Sequence, residues 1–366
     1  MPLLHKPDWD EAQQHFVAWW AHDALGRCGL AVTAPRADAP LVPPPERPAD
    51  PLQRWTDLDY IAALNEYEHS RTYYGGEAFP VWNGGYPGHT AIPAYLGCPT
   101  TLDMETGWWD PILTDDDWDV TRLTLDRQGR WWRFTLDLLQ RAAQESRGRS
   151  IPSIGAFGGC GDTLAALRGS EQLLFDVATE PEKVRAAELY LMEMWIEVYG
   201  AFYEIIREAA GGSTCWFTLW SPGRFYAAQN DFSYMISPRT FRQVFLPAIE
   251  RQTQYLDHTV YHVDGIGGFN HVPALLELPR LQALQILPGA GKPSPLHYLD
   301  VLRQVQAAGK NLHISIAPDE VETALALLSA RGLFICPRSQ ALLLARGRLA
   351  RARYRYRDCT RQLTRP

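Results

Sequence analysis

The sequence predicts an α/β fold, a distorted (β/α)8 barrel with an N-terminal extension. Two observations carry the prediction. From residue 151 onward, short apolar runs alternate with helical stretches, which is the pattern of a mostly parallel sheet. The chain has 366 residues, 46% hydrophobic and 21% charged, a size and composition suited to one large barrel. About six strand–helix units are visible, with space upstream for more, so a closed barrel is expected over an open sheet. A core of this size needs no disulfide staples, and the composition excludes a mostly disordered chain.

Taken in order, residues 9–24 read as a helix and 29–33 as a strand. Residues 35–53 hold seven prolines and read as an extended connection. Residues 54–132 have few clean periods and read as irregular, rich in Gly, Trp and Asp. The regular part follows, with strand runs at 151–157, 214–219, 260–263, 281–287, 312–316 and 333–335. Helices are expected at 171–177, 181–208, 238–256, 272–277, 295–308 and 318–330. Four of these begin at a proline (Pro181, Pro238, Pro295, Pro318), which suits a first helical turn. The organisation that results has residues 1–150 wrapping and lidding the barrel as part of the same domain. Residues 151–340 form the main repeats, and 341–366 an Arg-rich tail.

Charge, cysteines and motifs exclude several functions. The net charge of −7 conceals a tail with eight arginines and one acid between residues 346 and 365. The remainder holds 27 basic against 41 acidic residues, and such an acidic body argues against nucleic-acid binding. The six cysteines contain no CxxC pair, which excludes a cysteine-rich zinc module. No GxGxxG follows a strand and no Walker A sequence occurs, so dinucleotide and P-loop readings lose support. No apolar run reaches membrane-span length and residues 1–10 lack a signal peptide's apolar core; a cytoplasmic protein with no membrane partner is expected. A homodimer would need an apolar surface patch, which a sequence does not display.

In a parallel barrel the chemistry sits where strands end. Polar residues collect there: Gly161-Asp162, Trp220-Ser221, His262-Val263-Asp264-Gly265, Gln285 with Pro288-Gly289, and Cys336. Residues two apart in a strand face one way, so His262 and Asp264 project together. Such a pair is half of a zinc site, a general base with its orienting acid, or a hydrogen-bonded core pair. Cys336 is the candidate third donor. Asp231 and Gln229 precede the Ser237-Pro238 helix; Asp231 either binds a cationic or hydroxyl-bearing substrate or caps that helix. Asp162 follows Gly159-Cys160-Gly161, a backbone permissive enough to approach a ligand or hold a turn. Tyr74, Trp108 and Trp220 are candidates for an aromatic wall, with core packing the alternative. Gln285 either orients a substrate or satisfies a loop carbonyl.

The stretch Gln229 to Phe241, with Ser237-Pro238, Phe245 and Pro247, followed by His262-Val263-Asp264-Gly265, resembles the uroporphyrinogen decarboxylase superfamily. Arg168-Gly169, Glu171 and Pro181-Glu182 resemble it as well. The resemblance covers roughly half the chain and implies a (β/α)8 barrel of that type. Its corrinoid-linked branch implies a zinc-dependent methyltransferase moving a methyl group between a small molecule and a corrinoid or thiol. In that branch zinc is held by His-x-Cys on one strand and a later Cys. Here His262 matches the His, Asp264 replaces the first Cys, and Cys336 stands near the later one. A corrinoid protein would be the partner. The decarboxylase branch uses no metal, and its arginine-rich N-terminal motif is absent here. The alternatives are a metal-free decarboxylase or lyase using His262 and Asp264 as a proton-transfer pair, or a non-catalytic small-molecule-binding barrel.

Overall fold

The computed structural model describes residues 2–337; Ser339 and the Arg-rich tail lie outside them. Eleven strands are formed among the described residues: β1 (Gly29–Pro35), β2 (Thr72–Gly76), β3 (Val81–Trp82), β4 (Thr100–Leu102), β5 (Gly107–Trp109), β6 (Ile151–Pro152), β7 (Phe225–Ala228), β8 (His258–Asp264), β9 (Ala283–Leu287), β10 (Asn311–Ile316) and β11 (Leu333–Pro337). The main sheet runs β2-β1-β11-β10-β9-β8-β7. All its neighbours are parallel except β2, which pairs antiparallel with β1. β3 and β6 form a separate parallel pair, and β4–β5 a small hairpin.

The predicted alternation of strands and helices therefore holds for a parallel α/β sheet. Its hydrogen-bonded ladder is not continuous around a barrel among the described residues, because β3–β6 bonds to neither edge of the main sheet. Two predicted strands are corrected. The run at 151–157 is a strand only over Ile151–Pro152; Gly155 and Gly158, both at positive φ, then turn the chain away. The run at 214–219 is irregular, and the strand of that unit is β7, several residues later. Residues 54–132, expected to be irregular, contain the helix Leu58–Arg71, capped by Asp57, whose carboxylate accepts from the Asp59 and Tyr60 amides.

Helix boundaries follow local chemistry. The 30-residue helix Pro181–Ala210 starts on proline and ends at Gly211 in the left-handed region. It buries Leu191, Trp195, Tyr199, Phe202 and Ile206 on one stripe. The helix expected over 238–256 is divided: one turn at Pro238–Thr240, a π-helical turn at Phe241–Phe245, then Leu246–Tyr255. Pro247 lacks the amide that would continue the regular ladder, and the π turn accommodates that loss.

The N-terminal segment contributes to the sheet itself. It supplies β1, which pairs between the edge strand β2 and β11, and its first helix, Trp9–Trp20, plugs the amino ends of the strands. The Trp19 indole donates to the Gly332 carbonyl just before β11 (2.9 Å), and the Trp20 indole donates to the Trp220 carbonyl (2.9 Å). Asn311, at the start of β10, donates to the Trp19 carbonyl (2.6 Å), and the Trp20 ring stacks on His258 at the start of β8. The opposite, carboxyl ends are thus left for chemistry.

Arg168 is structural. Its guanidinium is buried, pairs with Asp176 (2.7 Å) and donates to the carbonyls of Leu113 and Asp115 (2.7 and 2.8 Å). Removing it strands a buried carboxylate and two carbonyls. Arg168→Ala is expected to lose about 3–5 kcal/mol of stability in chemical denaturation. A loss below about 1 kcal/mol would contradict this account of the buried pair.

Candidate functional site

The site grows out of sheet register. His262 on β8 pairs with Gln285 on β9, Gln285 with His313 on β10, and His313 with Phe334 on β11. Parallel neighbours in register share a face, so these four side chains form one row across four strands. The row ends at Gly29 of β1, where a Cβ would lie 2.3 Å from the Phe334 ring; only glycine leaves that ring its place. Two residues further along each strand, Asp264 on β8 and Cys336 on β11 lie toward the carboxyl ends.

The row is bonded end to end. His262 Nδ1 meets Gln285 Oε1 in a very short contact, and Gln285 Nε2 meets His313 Nδ1 at 3.2 Å. His313 Nε2 lies 3.2 Å from Cys336 Sγ. At the outer end His262 Nε2 is 3.9 Å from Asp264 Oδ2. Aromatic rings dry this row. Phe217 lies 4.7 Å from His313, Phe334 stacks on it at 5.5 Å, and Trp216 stands edge-on to His262 at 5.2 Å. Burial consequently lowers the His262 pKa and takes that of His313 down to about 3, so both imidazoles are neutral at pH 7. Burial pushes the Cys336 thiol up to about 12.

Three carboxylates gather at the mouth beside this row. Asp162 accepts from Gln229 Nε2 (3.1 Å) and from the Phe232 amide (2.9 Å). Burial and the neighbouring Asp231 raise its pKa to about 6. Asp231 stands at the open rim, where partial loss of hydration and the Asp264 charge also raise it to about 6. The turn before Asp162 needs Gly161 at φ +60°, and a Cβ there would strike the Asn230 side chain. Asp231 does not cap a helix: Asn230 caps the short helix Asp231–Met235, and Ser237 caps the next one through the Thr240 amide. Beneath, Glu188 is fully buried, accepts from the Gly161 amide (2.8 Å), and has its pKa raised by burial to about 8.

The structure thus brings together His262, Asp264, Gln285, Asp162, Gln229 and Asp231. It does not assemble the aromatic wall. Tyr74 lies on β2, the edge strand remote from β7 and β8, beside His69. Trp108 is exposed on the β4–β5 hairpin. Trp220 precedes β7 and packs with Trp9 and Phe16 near the amino ends of the strands, a correction that follows from the misplaced strand at 214–219. Gln285 serves neither a loop carbonyl nor the open mouth; it links two histidines. Sequence reasoning missed His313, Trp216, Phe217 and Glu188. The one available signal was His313 itself, a polar residue inside the apolar run 312–316.

The chain matches no known family profile and no curated protein sequence. Among solved structures, a methyltransferase from Methanosarcina mazei superposes with a TM-score of 0.61 at 11% identity, covering 91% of this chain and 94% of that one. The chain shares that protein's fold. At this identity the likeness extends to the fold alone. No helix of the described residues is long and apolar enough to cross a membrane.

The zinc set implied by the resemblance was His262, Asp264 and Cys336. Cys336 is engaged by His313, with Gln285 between that pair and His262. Among the described residues, no group of three or more His, Cys, Asp or Glu side chains is placed to hold a metal ion. As arranged, these residues do not fit a zinc site.

The raised pKa of Asp162 has a stability consequence. Its folded value of about 6 exceeds the ordinary value of 3.8, so its contribution is fully present below pH 4 and is lost as pH rises through 6. By pH 8 the ionised carboxylate costs roughly 2–3 kcal/mol. Asp162→Asn is therefore expected to be more stable than wild type at pH 8 and equal to it near pH 4, measured by urea denaturation. A variant less stable at both pH values would refute the assignment.

Proposed function

We propose that this protein is a methyl-transferring enzyme built on a (β/α)8 barrel of the uroporphyrinogen decarboxylase type. It would act on a small cationic or hydroxyl-bearing molecule at the carboxyl ends of β7 and β8. The observation that carries the reading is the convergence of a neutral His262 with Asp264, Asp231 and Asp162 at that mouth. The near full-length likeness of fold to a methyltransferase supports it.

The residues supply binding and proton handling. A cationic head group is stabilised by Asp231 and Asp264, whose mutual repulsion it relieves. Forming a methyl–heteroatom bond at an X–H group releases one proton, which the neutral imidazole of His262 accepts. In the reverse direction the departing heteroatom recovers that proton from His262 or from Asp231, whose raised pKa lets it carry one near pH 6. A corrinoid or a thiol is the other methyl carrier under this proposal, and a corrinoid protein the partner. Zinc would supply Lewis acidity if bound, but no step is assigned to it, because His262, Asp264 and Cys336 do not assemble as ligands.

The reading is tested with methylated amines and alcohols as donors and a reduced corrinoid or a thiol as acceptor, with and without added zinc. Wild type is expected to transfer methyl groups, and His262→Ala to reduce the rate about 10²–10⁴-fold. Asp231→Asn is expected to raise KM for cationic donors more than for neutral ones. No transfer with any pair, together with carbon dioxide release from a carboxylated substrate, would replace this reading with the lyase. Tight ligand binding with neither reaction would leave the non-catalytic barrel.

A further inference from the structure

The amide of Gln285 is set between two imidazoles, and an amide has one donating end and one accepting end. Its Oε1 faces Nδ1 of His262 and its Nε2 faces Nδ1 of His313. Two neutral imidazoles presenting the same atom to opposite ends of one amide cannot hold the same tautomer. The Nδ1 facing the carbonyl carries a proton, and the Nδ1 facing the amino group carries a lone pair. Reversing the amide would exchange the two states without making them alike.

We propose that Gln285 and His313 are positioning residues that fix the tautomer of His262 through one hydrogen-bond chain ending at Cys336. In the observed orientation His262 donates from Nδ1 to Gln285, leaving the Nε2 lone pair directed to the mouth beside Asp264. His313 accepts at Nδ1 and donates from Nε2–H to the Cys336 sulfur. The chain therefore presents His262 to a substrate as a base. The opposite arrangement would turn Nε2–H toward the Asp264 carboxylate and remove that capacity. Gln285 and His313 are nearly fully buried, at 7% and 4% exposure, so water does not compete for these bonds. The same chain accounts for why Cys336 and His262 are held apart.

The inference concerns the resting protein and does not depend on the proposed methyl transfer, so the two fail separately. It is read at neutral pH from the side-chain ¹⁵N signals of His262 and His313 in the full chain, assigned with His262→Gln and His313→Gln. Wild type is expected to show His262 protonated at Nδ1 and His313 at Nε2. Gln285→Glu, whose carboxylate accepts at both ends, is expected to convert His313 to the Nδ1–H form or to a doubly protonated ring, while His262 keeps its Nδ1 proton. Gln285→Leu is expected to release His262 to a solution-like mixture of tautomers. Identical tautomers at the two histidines of wild type, or a wild-type His262 already mixed, would overturn the proposal whatever the variants do. An unchanged His262 in a folded Gln285→Leu protein would overturn it as well.

Discussion

The lateral register of four parallel strands is the constraint on which the rest of this molecule depends. Because β8, β9, β10 and β11 pair in step, His262, Gln285, His313 and Phe334 fall in one row, and a one-residue slip would turn the row to the other face. Three polar residues inside a dry core are tolerable only when each finds a partner, and here each finds the next. The Phe334 ring closes the row against Gly29, tying the last strand to the first of the chain. The buried polar chain therefore both fills the interior and sets the electrostatic state of the residue at its open end.

The two ends of the strands are treated differently, and that difference makes a site. At the amino ends the helix Trp9–Trp20 places two indoles on the Gly332 and Trp220 carbonyls and accepts from Asn311 of β10 at the Trp19 carbonyl, which seals the interior with bonds and rings. At the carboxyl ends burial and neighbouring carboxylates raise the pKa of Asp162, which stands beside Asp231, and of Asp231, which stands beside Asp264, an arrangement that costs stability near neutral pH. Stability given up at one place in a fold is a common mark of a working site. Glu188 extends the acidic group inward, held beneath the glycine turn that carries Asp162.

Much of the fold was legible, because apolar runs of three to seven residues alternating with helices, four of them started by proline, leave few arrangements other than a parallel sheet. β8 to β11 were recognised within two residues for this reason. The strands that were misplaced, at 151–157 and 214–219, lie where glycines or aromatic residues interrupt the ladder while keeping the composition of a strand. Residues Leu58–Arg71 were missed because that helix has weak amphipathicity and is anchored by its Asp57 cap. The candidate site was legible in part: the two-residue spacing of His262 and Asp264 and the strand-end position of Gln285 marked residues that the structure brings together. Trp220 and Tyr74 did not belong there, because a residue's end of the sheet depends on where its strand begins.

By itself the sequence determined the class of fold, the acidic body, and the strand that carries His262 with Asp264. Those follow from local periodicity and spacing, which need no knowledge of neighbours. Only the tertiary structure decided that His262 faces Gln285, that His313 stands between Gln285 and Cys336, and that Asp162 and Asp231 share one mouth. Such relations join residues that are about 20 to 70 positions apart in the chain. They are set by register and by the packing of Trp216, Phe217 and Phe334, which periodicity along one strand does not encode.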